Sequence, residues 1–143
     1  MTYTYEYPRP SLTVDIAIFK EYEGCYEVLL IRRKNKPFEG KWALPGGFVD
    51  MDETVETAAS RELFEETSLS EIHLEQFHVF SEVDRDPRGR TVSVVFTGFL
   101  NNDQEAKAKD DAREARWFDV KKLPELAFDH RKIVDMLIEK RLS

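Results

Sequence analysis

With 143 residues, the chain is long enough to bury most of its apolar surface without disulfides or a structural metal, and we read residues 1–143 as one domain. Hydrophobic residues at 41% and charged residues at 34% exclude a disordered chain, and a formal net charge of −7 argues against broad nucleic-acid binding, which needs many Lys and Arg to neutralise phosphates. Cys25 is the only cysteine, and neither a basic-apolar leader nor a run of about 18 apolar residues is present, so we expect a cytoplasmic chain with an inert thiol and no membrane anchor.

The stretch Leu12 to Ile18 alternates apolar and polar residues, as a half-buried strand does. Glu27 to Arg32 reads as a second strand across a Glu23-Gly24 turn that also takes in Cys25, giving a hairpin. Lys34 to Gly47 holds Pro37, Gly40, Pro45, Gly46 and Gly47, too many breakers for a regular element, and is expected to be a structured loop. Glu53 to Glu66 lacks Gly and Pro and predicts a helix, with Asp52 as candidate N-cap. Strands are predicted at Phe77–Val83 and Thr91–Leu100, separated by the turn-rich segment 84–90. A polar loop over 101–111 leads to a short strand at Arg116–Phe118, whose Trp117 and Phe118 we expect in the core. The apolar spacing of Ile133, Val134, Leu137 and Ile138 predicts an amphipathic helix over Asp129–Leu142, with Asp129 as its N-cap.

The first helix carries the most informative pattern. On a wheel of about 100° per residue, Val55, Ala58 and Ala59 form a stripe for burial, and Glu62, Glu65 and Glu66 fall within about 80° of Val55 on that same side. A solvated acidic face lies opposite the buried stripe, so these acids either emerge into a cleft or are paired with cations. Arg61 and Glu65, four apart, are also placed for an ordinary surface pair. If the acids converge in a cleft, a divalent cation relieves their mutual repulsion, and all-oxygen ligation selects Mg²⁺ or Mn²⁺ over Zn²⁺. Such a site points to phosphate chemistry.

The segment Gly47, Glu53, Arg61-Glu62-Leu63, Glu65-Glu66, Leu69 resembles the Nudix box, G-x5-E-x7-R-E-U-x-E-E-x-G-U, with U a bulky aliphatic residue. Ser68 stands where the box has Gly, a position just past the helix where a left-handed residue other than Gly costs roughly 1–2 kcal/mol. The resemblance implies an α/β fold, the Nudix α/β/α sandwich around a central mixed β-sheet. It also implies metal ligation by Glu62, Glu65, Glu66 and the Gly46 carbonyl, with Glu53 and Arg61 holding loop and helix together. Glu53, Arg61, Glu62 and Glu66 are thus the expected catalytic set. In that family water attacks a phosphorus of a diphosphate. The general base is either a helix glutamate or an acid from the loop before the last strand, for which Asp110 and Asp111 are the nearest candidates.

Outside the box, Pro8-Arg9-Pro10, Lys41 to Gly47, Asp86 to Arg90, Glu114 to Phe118 and Ala127-Phe128-Asp129-His130 resemble the ADP-ribose pyrophosphatase branch. This implies hydrolysis of a nucleoside-diphosphate compound, ADP-ribose to AMP and ribose 5-phosphate. The alternatives are pyrophosphate release from an oxidised nucleotide such as 8-oxo-dGTP, and a non-catalytic nucleotide-sensing module. Arg33, Trp42, Gly47, Arg88 and Arg90 are the candidate substrate contacts, with Arg32 a weaker one, although Trp42 also suits packing and the arginines also suit the surface. His73 and His78 have no metal-ligand spacing. Homodimers are common in that branch, and Tyr3, Tyr5 and Tyr7 are candidates for such an interface.

Overall fold

The structure is a computed structural model, and it describes residues 2–109 and 112–142. Asp110 and Asp111 therefore lie outside the described residues. The elements run β1 (Ser11–Tyr22), β2 (Cys25–Arg33), β3 (Trp42–Ala43), β4 (Gly46–Phe48), α1 (Val55–Thr67), β5 (Glu75–Phe80), β6 (Thr91–Phe99), β7 (Ala112–Asp119) and α2 (His130–Leu137), with a π-helical turn at Ile138–Leu142. β1 and β2 form the expected hairpin; Glu23 (φ 49°) and Gly24 (φ 80°) make its two-residue turn, and Tyr22 pairs with Cys25, which opens β2 rather than sitting in the turn. Positive φ at both turn residues matches the right-handed twist of the strands it joins.

β1 is the centre of the sheet. It runs parallel to β6 from Ser11 to Phe19, while its other edge meets β2 from Phe19 to Tyr22 and β4 from Thr13 to Asp15. The remaining pairings, β2 with β3 and β7 and β5 with β6, are antiparallel, so the sheet is mixed. The alternation in β1 predicts half burial, and the structure overturns that: every residue from Thr13 to Phe19 is buried. Val14, Ile16 and Ile18 pack with Ala58, Ala59 and Leu63 of α1 on one face, and Ala17 and Phe19 pack with Ile133, Val134 and Leu137 of α2 on the other. These two cores make the α/β/α sandwich. Asp15 is polar in a buried strand because it joins a network described below.

The loop predicted over Lys34–Gly47 contains two short strands after all. Below Phe19 the paired edges of β1 and β2 part, and the returning chain fills both: Ala43 and Trp42 pair with Ile31 and Arg32, while Gly46 to Phe48 pair with β1. Pro45, which has no N–H to donate, falls between them, and its carbonyl accepts from Ile16 at 2.8 Å. The breakers end the strands without preventing them.

Helix α1 begins at Val55 with Thr54, not Asp52, as its cap: Thr54 Oγ1 accepts from Thr57 N–H at 3.1 Å. Its buried residues include Ala58, Ala59, Leu63, Glu66 and Thr67, so the buried stripe does run on into the acids. The helix ends as the box substitution predicts. Ser68 is left-handed (φ 68°, ψ 3°), and its N–H reaches the Phe64 carbonyl at 2.9 Å. Ser68→Gly relieves that conformation but loses the Ser68 Oγ bond to the Lys107 carbonyl (3.1 Å) and loosens the unfolded chain. We expect a net gain of about 0.5–1 kcal/mol, or about 2–4 °C in melting temperature by calorimetry. A drop would show that this backbone is not strained.

β5 ends earlier than predicted, at Phe80, and β7 is longer than the Arg116–Phe118 expected, because β2 offers it a full edge from Glu27 to Arg33. Trp117 packs against the α1 core and Phe118 against the α2 core. No helix among the described residues is long and apolar enough to cross a membrane.

Candidate active site

Arg61 gathers the box. Its Nε donates to Glu53 Oε2 (3.0 Å), one terminal nitrogen to Glu53 Oε1 and the Phe48 carbonyl (3.1 Å), and the other to Glu62 Oε1 (2.7 Å) and Glu65 Oε1 (3.0 Å). One guanidinium thus joins helix α1 to the loop before it, with fork geometry that a lysine lacks. Bonds from Arg61 and from the Asp50 N–H hold the Glu53 carboxyl down at about 2, and Arg61's bonds to Glu53, Glu62 and Glu65 raise it further above the ordinary arginine range.

Glu62 behaves differently. Burial pushes its carboxyl above the usual carboxylate range, Arg61 opposes that, and the neighbouring Glu65 charge adds to it. Gly47 lies flat against it, and a Cβ there would stand 2.6 Å from the Glu62 carboxyl carbon and oxygens, so no larger residue fits without moving the acid. Glu66 is buried, and its Oε1 accepts from Gly46 N–H at 3.0 Å. Asp15 presses on Gly46 from the other side, 2.5 Å from where its Cβ would be. The two glycines let strand β4 run between one acid of β1 and two of α1.

A cavity of about 410 Å³ opens here. Of the residues anticipated from sequence, Glu62, Glu66, Arg61, Gly46, Gly47, Arg33 and Arg88 line it. Glu53 and Glu65 do not line it and are held by Arg61. Trp42 stands apart, edge-on to Phe118 at 4.8 Å as a packing residue, and Arg90 is exposed away from the lining. Arg32 bonds Glu114 and the Gly40 carbonyl.

A second set of lining residues went unassigned in the sequence: Asp15, Arg85, Asp86, Phe128 and His130. Arg85, its side chain 4% exposed, donates two bonds to Asp129 (2.9 and 2.7 Å) and lies 3.8 Å from Asp15. Asp129 does stand at the N-cap position of α2, as expected, but its carboxylate is Arg85's partner and makes no side-chain capping bond. Leu44 N–H donates to His130 Nδ1 at 3.0 Å, which leaves the ring proton on Nε2, facing Asp15 Oδ1 at 3.4 Å. Ser93 donates to Asp15 Oδ2 at 2.6 Å. Burial raises the Asp15 carboxyl, but His130, Ser93 and Arg85 outweigh it and leave the group below the usual range. Asp86 follows the same balance, with burial outweighed by the bonds from Arg88.

No three acidic, His or Cys side chains among the described residues come together as a ready-made metal cluster. The donors present still suit a hard cation. Mg²⁺ takes one or two carboxylates and completes its shell with water and substrate phosphate, and Glu62 and Glu66 offer that number on the cavity wall. The burial-raised Glu62 is a carboxyl whose anion lacks full compensation. Residues and chemistry fit such an ion.

A mixed sheet between two helical layers, with a glycine loop laid against helix acids at a polar cavity, defines an enzyme class that works on phosphates. The chain belongs to the Nudix hydrolase family, whose model, described as NUDIX domain, matches residues 9–137. It is 49% identical over 128 residues to the ADP-ribose pyrophosphatase of Methanocaldococcus jannaschii, covering 90% of this chain and 73% of that protein. It is 36% identical to the ADPR responsive transcriptional repressor NtrR of Acinetobacter baylyi, with 90% of this chain and 53% of the repressor covered, so it spans about half of that relative. Among solved structures it resembles the NUDIX domain of Shewanella oneidensis NrtR complexed with ADP ribose, at TM-score 0.86 and 34% identity over 96% of this chain and 91% of that one.

Proposed function

We propose that this chain hydrolyses ADP-ribose to AMP and ribose 5-phosphate with Mg²⁺, or Mn²⁺ in its place. The observation that carries the reading is the complete box seated at one cavity: Glu62 and Glu66 on the wall, with Glu53, Arg61 and Glu65 bonded around them, in a chain close to an ADP-ribose pyrophosphatase. Glu62 and Glu66 hold the metal in this reading; Glu65 would join them only by leaving Arg61, and the Gly46 carbonyl is a further candidate ligand. A bound divalent cation supplies charge neutralisation on the phosphoryl oxygens and a more acidic water. The water oxygen replaces one bridging P–O bond of the diphosphate, and its protons leave on the two phosphate products. Arg33 and Arg88 bring guanidinium charge to the cavity, suited to phosphate oxygens, with Arg88 held there by the Asp86 carboxylate across its Nε and one terminal nitrogen. Such transfer depends mainly on position and charge, which a rigid loop and helix provide.

We place the enzyme in the cytoplasm, acting on small molecules. A homodimer through the exposed Tyr3, Tyr5 and Tyr7 segment is part of the same proposal. The repressor relatives favour a sensing module as the second reading, in which ADP-ribose binds without turnover.

Product analysis with Mg²⁺ separates these readings. ADP-ribose, NADH, a nucleotide sugar and 8-oxo-dGTP are incubated with enzyme, with and without a chelator. Chelator-sensitive AMP release led by ADP-ribose is expected. Pyrophosphate release from 8-oxo-dGTP as the leading reaction would replace the substrate, and binding of ADP-ribose without any product would favour the sensor.

A further inference from the structure

Phe128 occupies an unusual position for a bulky residue. It lines the cavity, yet its backbone is left-handed (φ 54°), a conformation that aromatic side chains rarely adopt. Such a conformation persists only where the surroundings fix it, and these residues gather at ligand clamps. Both neighbours on the C-terminal side are fixed. Asp129 takes two bonds from the buried Arg85, and His130, 4% exposed, is held by Leu44 N–H on one ring nitrogen and faces Asp15 with the other. On the N-terminal side, Ala127 N–H donates to the Trp42 carbonyl at 2.8 Å.

The ring lies outside the two helix-backed cores; it is half-buried against Ile31, Ala43, Ala112 and Ala127 and still reaches the cavity. Phe38 meets it edge-on at 4.8 Å, and the guanidiniums of Arg33 and Arg88 lie 5.0 and 5.2 Å from its centre. The Arg88 guanidinium is also 4.9 Å from the ring of Phe48, so it bridges the two phenylalanines of the cavity wall. Aromatic faces and guanidinium planes are the two surfaces on which nucleic-acid bases stack. Here both kinds stand together at the cavity that Glu62 and Glu66 also line.

We propose that Phe128 seats the base of the substrate, stacked on its ring beside Arg88, and so determines specificity for a nucleoside half. The network of Asp15, Arg85, His130 and the half-buried Asp129 is the positioning device that keeps the ring there. This rests on the reading of the cavity as a nucleoside-diphosphate site, while the test uses binding of the product halves and does not need ADP-ribose to be the preferred substrate.

AMP and ribose 5-phosphate, each with Mg²⁺, are titrated calorimetrically into the parent, Phe128→Leu and Phe128→Tyr, with the melting temperature of each recorded. Leu keeps the Cβ and the bulk and removes only the aromatic face. Loss of one stacked base predicts AMP binding weaker by about 5- to 160-fold in Phe128→Leu, with ribose 5-phosphate unchanged and Phe128→Tyr close to the parent. Steady-state kinetics on the substrate preferred in the product panel should then show a raised KM with kcat retained. Equal weakening of both products, unchanged AMP affinity in Phe128→Leu, failure of Tyr to restore it, or no AMP binding by the parent would each overturn the proposal. Another preferred nucleotide in the product panel, with Phe128-dependent AMP binding, would overturn the substrate and leave this inference standing.

Discussion

Glu66→Gln is expected to lower turnover of ADP-ribose by about 10²- to 10³-fold, because stabilising charge on a phosphoryl group through a metal ligand is worth several kcal/mol and about 1.4 kcal/mol is tenfold in rate. The fold should survive. Gln presents the same Oε1 to Gly46 N–H, the 3.0 Å bond that ties α1 to β4, and only the charge is removed. Glu62, whose carboxyl burial raises, shares a side-chain hydrogen bond with Glu66, and Gln keeps a polar group able to make that contact. The variant is measured by AMP release at saturating Mg²⁺ and by thermal unfolding with and without Mg²⁺. We expect a parental melting temperature without metal and a smaller rise on adding it. Parental turnover would remove Glu66 from the metal site, and a low melting temperature would make its role structural.

The parts of this site that were legible in the sequence are those whose partners lie close along the chain. Gly47, Arg61, Glu62 and Glu66 sit on one loop and helix, so spacing places them together, and the inward drift of the acids on the helix wheel matches the burial of Glu66. The unreadable parts depend on distant partners. Asp15 and Thr13 make β1 look half exposed, because alternation registers a polar residue and not the Ser93 hydroxyl that meets it from 78 residues away. Asp129 precedes a helix and satisfies every local rule for a cap, yet Arg85, 44 residues earlier, claims its carboxylate. The same limit hid β3 and β4, whose two- and three-residue lengths are set by the edges that β1 and β2 leave open. Local rules failed here where long-range polar pairing competes with them.

Asp129→Ala tests what that pairing contributes. It leaves the Arg85 guanidinium, 4% exposed, with Asp15 at 3.8 Å and the more distant charge of Asp86, and removing one partner of a buried pair costs about 3–5 kcal/mol. Because Asp15 persists, we expect about 3 kcal/mol, or about 10 °C in melting temperature. Asp129→Asn, which keeps an oxygen acceptor, should lose less. The Arg85→Met, Asp129→Leu double variant decides between two roles for the pair. Apolar replacement of both partners often restores stability, since no charge is left buried alone. If the pair serves stability only, the double variant regains both melting temperature and AMP affinity. If it holds Phe128 in its left-handed conformation, stability returns and AMP affinity does not, because Met and Leu have no hydrogen bonds with which to fix the backbone next to the ring. We expect the second result; recovery of both would reduce the pair to packing.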